Sequence, residues 1–192
     1  MFLKTHKTAS STVLNMLYRF GELRELRFAL PMGYLLGYPH LFNAHQVEKV
    51  MPEDTFYFSI LRNPLTLVVS SFAYFKDMCP AFRKADSLGD FANDPSSFYD
   101  PGLCNSHFAR NLLWFDFGLD HNGNFSEELA RSGEALIRKT FKLILLTEYF
   151  DRSMVLLRHA LCWPLDAVVS FTLNAGHYEA PRSTRVGHSG RS

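Results

Sequence analysis

Apolar positions fall into two kinds of run along this chain. Val13, Met16, Leu17 and Phe20 repeat at the i, i+3, i+4, i+7 spacing of one buried helix stripe, and Gly21 follows where a C-terminal cap belongs. Thr55 to Leu61 and Leu143 to Leu146 are instead nearly continuous aromatic or aliphatic runs bounded by turn signals, as in strands buried on both faces. Asn63 suits an N-cap and Pro64 the first helical position, so the pattern predicts a helix from Pro64 to about Phe75. Ser126 caps another, running to about Phe141, with Glu127 and Glu128 at its start and Arg138 and Lys139 at its end to match the helix dipole.

Asp151 to Cys162 predicts a further helix, and Asn105 to Phe115 one that sets His107, Arg110 and Asn111 on one side. Glu22 to Ala44 reads as loop with one short strand at Leu26 to Leu30. Asp77 to Gly102, broken by Pro80, Gly89, Pro95 and Pro101, reads as a long surface excursion of the binding-loop kind, with a short helix near Ser87 to Ala92. Strands that alternate with helices predict an α/β sandwich with a mostly parallel sheet. From Gly176 the composition turns to Ser, Gly, Arg, His and Pro, so residues 176–192 are expected to be a disordered tail behind one domain at 1–175.

Composition narrows the function classes. With 192 residues, 47% of them hydrophobic, the chain can bury one sizeable core and is too short for two ordinary domains. Twenty basic against nineteen acidic side chains leave a net charge of +1, which gives no general attraction to nucleic acid or to an anionic membrane. Any anion binding must therefore be local. No apolar run approaches the roughly 20 residues of a membrane span. Cys79, Cys104 and Cys162 are odd in number and lack metal-binding spacing, which leaves buried thiols or one disulfide with a leftover. Asn124-Phe125-Ser126 is a glycosylation sequon, meaningful only in a secretory chain.

The local anion chemistry sits at the start. Met1-Phe2-Leu3 is a short apolar strand, and Lys4, Thr5, His6, Lys7, Thr8, Ala9, Ser10, Ser11 and Thr12 run from it into the first helix. A tight turn opening a helix offers unpaired N–H groups and the positive end of the dipole to a phosphate or sulfate. A capped amphipathic helix with a solvated lead-in explains this stretch alone equally well. An ordinary nucleotide-phosphate loop does not, because no glycine lies between Phe2 and Phe20. A second stretch tips the balance: Arg62-Asn63-Pro64 follows the next strand, with Ser70 and Tyr74 on one face of the helix after it.

Together these motifs resemble the 5′-phosphosulfate loop and the 3′-phosphate motif of the Golgi galactose 3-O-sulfotransferases. Met51-Pro52 to Leu61, Ala81-Phe82-Arg83, Trp114 to Gly118, and Glu148 to Asp151 carry the resemblance to about Ala175. It implies a P-loop-like three-layer sandwich with helices on both faces. It also implies transfer of a sulfuryl group from 3′-phosphoadenosine 5′-phosphosulfate (PAPS) to the 3-hydroxyl of a galactose on glycoprotein or glycolipid glycans, galactosylceramide included. Lys7 would neutralise the leaving phosphate, Lys4 to Thr12 would cradle it, Arg62 and Ser70 would hold the 3′-phosphate, and no metal is required. Family members work on the luminal side of the Golgi membrane behind a signal-anchor, which this sequence lacks, so the chain is expected to be an incomplete or spliced form.

The acceptor hydroxyl needs a base. Relatives carry an Asn-His-x-Arg-Phe strand just upstream of Met51-Pro52, and its histidine is their presumed base. Here Leu41 to Gln46 runs almost directly into Val50-Met51-Pro52. Either His45 is that histidine in altered context, or the segment is deleted and His45 belongs to an upstream loop. Deletion is the preferred expectation, with the chain then a nucleotide-binding remnant, and His107 is a second candidate base.

Overall fold

The computed structural model describes residues 1–28 and 42–170. Its centre is a parallel sheet of β1 (Phe2–Leu3), β2 (Phe58–Leu61) and β3 (Leu143–Leu146), in that order. Phe58 pairs with Phe2 on one side and Leu143 on the other, so all three strands start level and finish at one edge. Side chains alternate across the sheet, as strand geometry requires. Phe2, Phe58, Ile60, Leu143 and Leu145 face α1 (Ser10–Leu23) and α9 (Phe150–Ala160), meeting Val13, Met16, Met154 and Leu157. Leu3, Tyr57, Leu61 and Ile144 face the other way, onto Phe117, Phe141 and Ile137 of α8 (Glu127–Thr140). The α/β class follows, with helices against both faces.

Most predicted elements stand close to their expected bounds. Helix α3 is Pro64–Phe75, with Asn63 accepting from the Leu65 N–H at 2.9 Å. Ser126 accepts from the Leu129 N–H at 3.1 Å at the start of α8. β2 is shorter than the Thr55 to Leu61 run, because both neighbouring strands begin opposite Phe58 and leave residues 55–57 no strand to pair with.

Other expectations are corrected. Gly21 is not a cap: it lies inside α1, buried, with the Phe28 ring packed where a Cβ would stand. The helix ends instead at Leu23, and Glu25 beyond it, at φ 53°, lets the Leu26 N–H return to the Gly21 carbonyl at 2.8 Å. The predicted helix at 105–115 is broken. A 3₁₀ turn at Ser106–Ala109 and α7 (Leu112–Asp116) flank an extended Arg110 and a left-handed Asn111, so His107, Arg110 and Asn111 share no helix face. Residues 77–102 are no loop, since α4 (Pro80–Lys84), α5 (Leu88–Asn93) and α6 (Pro95–Phe98) form a packed unit. Phe82 and Phe91 are buried there against Leu67 and Phe75 of α3. Lys76 ties the unit to α3 by donating to the Phe82 carbonyl at 2.8 Å.

A short α2 (Ala44–Glu48) precedes β2. Leu26 to Phe28 carry no strand, and the rest of that expected strand lies outside the described residues, as does the tail at 176–192. All three cysteines are free, Cys79 buried and Cys104 and Cys162 exposed. No helix among the described residues is long and apolar enough to cross a membrane.

Candidate functional site

The turn from β1 to α1 crosses the edge where the strands finish, and buried hydroxyls hold it there. Thr5 donates to the Ile60 carbonyl at 2.5 Å and shares a 2.7 Å bond with Thr8, while Ser10 donates to the Thr5 carbonyl at 2.5 Å. The Thr147 hydroxyl, just beyond β3, bridges the carbonyls of Thr8 and Leu61 at 2.8 and 2.9 Å. This scaffolding over-determines a strained backbone: Lys7 and Ala9 sit at φ 58° and 61°, a region L-residues enter at a cost of about 1–2 kcal/mol each.

Helix α1, 14 residues long, starts there with no side-chain cap on Ala9. The Ser10 and Ser11 N–H groups meet no acceptor among the described residues, which leaves them and the dipole's positive end to an outside anion.

Two cations close over this opening. Arg62, the first residue after β2, donates through Nη1 to the Lys7 carbonyl at 3.0 Å and through Nε to Thr66 Oγ1 at 3.1 Å. Lys7 Nζ lies 3.8 Å from the centre of the exposed Tyr74 ring. Partial burial, and then repulsion from Arg62 and Lys4, lower the Lys7 pKa. Neither Lys7 nor Arg62 has a carboxylate partner among the described residues. Ser70 stands one turn from both Thr66 and Tyr74, between two side chains that reach toward the cradle, and makes no hydrogen bond to its own backbone. Glu148 braces the start of α3, accepting from the Asn63 N–H at 2.8 Å and the Thr66 hydroxyl at 3.2 Å.

His6 is held by α7. Buried Asp116 accepts the His6 N–H at 2.7 Å through Oδ2 and faces His6 Nδ1 at 2.5 Å through Oδ1. The imidazole rests edge-on against Phe75 and Phe108, whose rings stack at 3.7 Å. His107 lies 6.5 Å away and stacks on Phe115. Desolvation, helped by His6 and His121, pushes its pKa down to about 4.

Phe108 also lines a cavity of about 400 Å³. Leu67, Val68, Ser71, Trp114 and Phe117 form its mostly apolar wall, and the Ser71 hydroxyl is buried there without a partner. That size falls within the range of small-ligand sites.

The structure thus brings together Lys4 to Thr12, Arg62 and the Ser70 face of α3. It does not bring His45 to them by any contact among the described residues. His45 is exposed on α2, three residues after Phe42, whose ring packs 5.2 Å from Phe141 where β3 begins, at the opposite end of the sheet. Asn124 is exposed in the turn before α8, and the hydroxyl of its sequon partner Ser126 caps that helix.

Asp116, Thr147 and Glu148 were not singled out by spacing. Asp116 carried a signal, since a carboxylate inside the apolar run Leu112 to Phe117 calls for a partner. The other two carried none, because they act through contacts 82 to 139 residues distant in sequence.

The model of the galactose-3-O-sulfotransferase family matches residues 1–48 and 40–187. Galactose-3-O-sulfotransferase 2 of Mus musculus is 48% identical over 204 residues, covering 91% of this chain and 52% of the relative. The Homo sapiens protein of that name is 48% identical over 201 residues, with 91% and 50% covered. Galactosylceramide sulfotransferase of Homo sapiens is 39% identical over 202 residues, with 91% and 48% covered. The chain spans about half the length of these relatives. Since 91% of the 192 residues is about 175, some 29 of the 204 aligned positions in the Mus musculus protein have no counterpart here. The family match divides near residues 40–48, the stretch where the histidine strand was missed. No solved structure matches the chain. On the extent of the family match and the relatives' identity, the chain belongs to the galactose-3-O-sulfotransferase family.

Proposed function

We propose that this chain transfers a sulfuryl group from PAPS to the 3-hydroxyl of a galactose residue on a glycoprotein or glycolipid glycan. One observation carries the proposal: Lys7 and Arg62, neither with a carboxylate partner among the described residues, flank the uncapped start of α1. Such a cluster is costly to fold and is relieved by an anion. Strand, cradle and helix in that order are what a P-loop-like sandwich uses for this purpose.

The residues fit a nucleoside bisphosphate. Free amides of α1 and the hydroxyls of Ser11 and Thr12 suit one phosphate, with Lys7 beside them as a point charge, whereas the Ser10 hydroxyl is taken up by the Thr5 carbonyl. The Arg62 fork and Ser70 suit a second. When bound, the donor supplies an activated sulfuryl group with a phosphate as leaving group. The protein's part is positioning and stabilisation of the charge that develops on that phosphate.

The acceptor, galactose-terminated, would lie toward the apolar cavity beside Phe108, since the relatives' printed names join galactose-3-O-sulfotransferases with a galactosylceramide sulfotransferase. Work on the luminal side of the Golgi membrane follows from family membership, and there Asn124 would carry a glycan.

The division of the family match near residues 40–48, together with the relative's positions that have no counterpart here, supports a second possibility, a chain that binds the nucleotide without turnover. Calorimetry with adenosine 3′,5′-bisphosphate, beside radiolabelled sulfate transfer to a galactose-terminated acceptor, separates the two. Binding with transfer supports the enzyme, binding alone supports the remnant, and no binding rejects both.

A further inference from the structure

We infer that His6, oriented by Asp116, takes the proton from the acceptor hydroxyl, an assignment that rests on the sulfotransferase function proposed above. The tautomer follows from the partners. The Asp116 carboxylate accepts at both oxygens, from the His6 backbone N–H and from Nδ1, so in the neutral imidazole Nδ1 carries the ring proton and Nε2 keeps the lone pair. Nε2 makes no hydrogen bond to any described residue, and 36% of the His6 side chain is exposed against 2% of Asp116.

The ring cannot swing away without breaking its edge contacts with Phe75 and Phe108. It adjoins Lys7 in the chain, and Phe108 forms part of both its surroundings and the cavity wall. The dyad therefore belongs to the cradle segment and touches, through Phe108, the wall of the cavity. The two histidines that the sequence offered as bases are worse placed. His45 is exposed on α2, and His107, held neutral by burial with its pKa near 4, is a weak base.

In the step itself, the hydroxyl proton passes to His6 Nε2 while an oxygen lone pair forms the new O–S bond. The S–O bond to the 5′-phosphate breaks, and its electron pair stays on that phosphate beside Lys7. The imidazolium then returns its proton to water. Asp116 is a positioning residue: it fixes the tautomer and stabilises the imidazolium without itself taking the proton. The other titratable groups around the ring are His107, 6.5 Å away, and Lys7, its neighbour in the chain.

Three measurements on the whole chain test the assignment. Nitrogen-15 NMR of the imidazoles should show Nδ1 protonated and Nε2 bare in His6, with Asp116→Asn mixing the tautomers. His6→Ala should lower sulfate transfer by about 10²–10⁴-fold, a larger loss than any in bisphosphate affinity, and added free imidazole should restore part of the rate. Calorimetry of the same variant with adenosine 3′,5′-bisphosphate should show binding retained, which separates loss of the base from loss of the site. A proton found on Nε2, unchanged transfer by His6→Ala, or bisphosphate binding without transfer by the unmodified chain would each overturn it. No bisphosphate binding at all would instead overturn the sulfotransferase proposal, and this assignment with it.

Discussion

Arg62 reaches from the end of β2 to the backbone carbonyl of Lys7, donating from Nη1 at 3.0 Å. A cation is thus used to hold another cation's backbone in the left-handed region, at φ 58°. Arg62 is therefore a brace for the loop, and under the proposed function it is also a ligand for the bound anion. Arg62→Ala is expected to weaken adenosine 3′,5′-bisphosphate binding by about 1.5–3 kcal/mol, the worth of a charge-assisted contact. Calorimetry decides this, and equal affinities would remove Arg62 from the site.

Lys7 should couple binding to protons. Its pKa is lowered from 10.5 by partial burial and by Arg62 and Lys4, and an anion in the cradle would raise it again. In the window between the lowered value and 10.5, the unfolded chain holds more protons than the folded one, so Lys7 adds stability as pH rises through it. Bisphosphate binding in that window should take up protons and weaken as pH rises. Titrations in two buffers of different ionisation heat measure the uptake, and Lys7→Met should abolish it.

His107 predicts an acid-side loss. Its pKa is about 4 folded against 6.5 unfolded, so between those values the unfolded chain binds the extra proton and stability falls as pH drops. Above 6.5 the effect vanishes, and below about 4 it is complete. Thermal melts across this window should show the decline. His107→Phe, which keeps the stacking on Phe115, should flatten it, leaving only the smaller share from His121, whose pKa burial also lowers.

Thr147→Val keeps the shape of the side chain and removes the donor shared by the Thr8 and Leu61 carbonyls. The expected loss is about 1–3 kcal/mol in chemical denaturation, the penalty of leaving buried acceptors unmatched. Bisphosphate affinity should fall too, because the cradle loses its tie to β3. An unchanged affinity would show that Thr5 and Ser10 hold the loop alone.

Gly118→Ala tests the seat of Phe42. Gly118 has φ 73°, and an added Cβ would run into the Phe42 backbone carbonyl. A side chain there carries strain of about 1–3 kcal/mol before that collision is counted, so a lowered melting temperature is expected. Bisphosphate affinity should hold, since the contact lies away from the cradle.

The strands, α3, α8, α9 and the cradle with Arg62 and Ser70 could be read along the chain, because each is a local pattern. A continuous apolar run is a buried strand, Asn-Pro opens a helix, and cations before a helix N-terminus form an anion site wherever the fold puts them. The end of α1 was misread because Gly21 serves a contact with Phe28, whereas Glu25 bears the left-handed turn. The region at 77–102 was misread because Phe82 and Phe91 find their partners on α3, and prolines that look like breakers there start short helices. Only tertiary structure could place Asp116 on His6, across 110 residues, or Thr147 on the cradle, since a hydrogen bond between distant segments leaves no spacing to read. The sequence by itself determined that a run of cations and hydroxyls leads from a strand into the first helix. Packing across the sheet edge decided which side chains hold it and which histidine stands beside it.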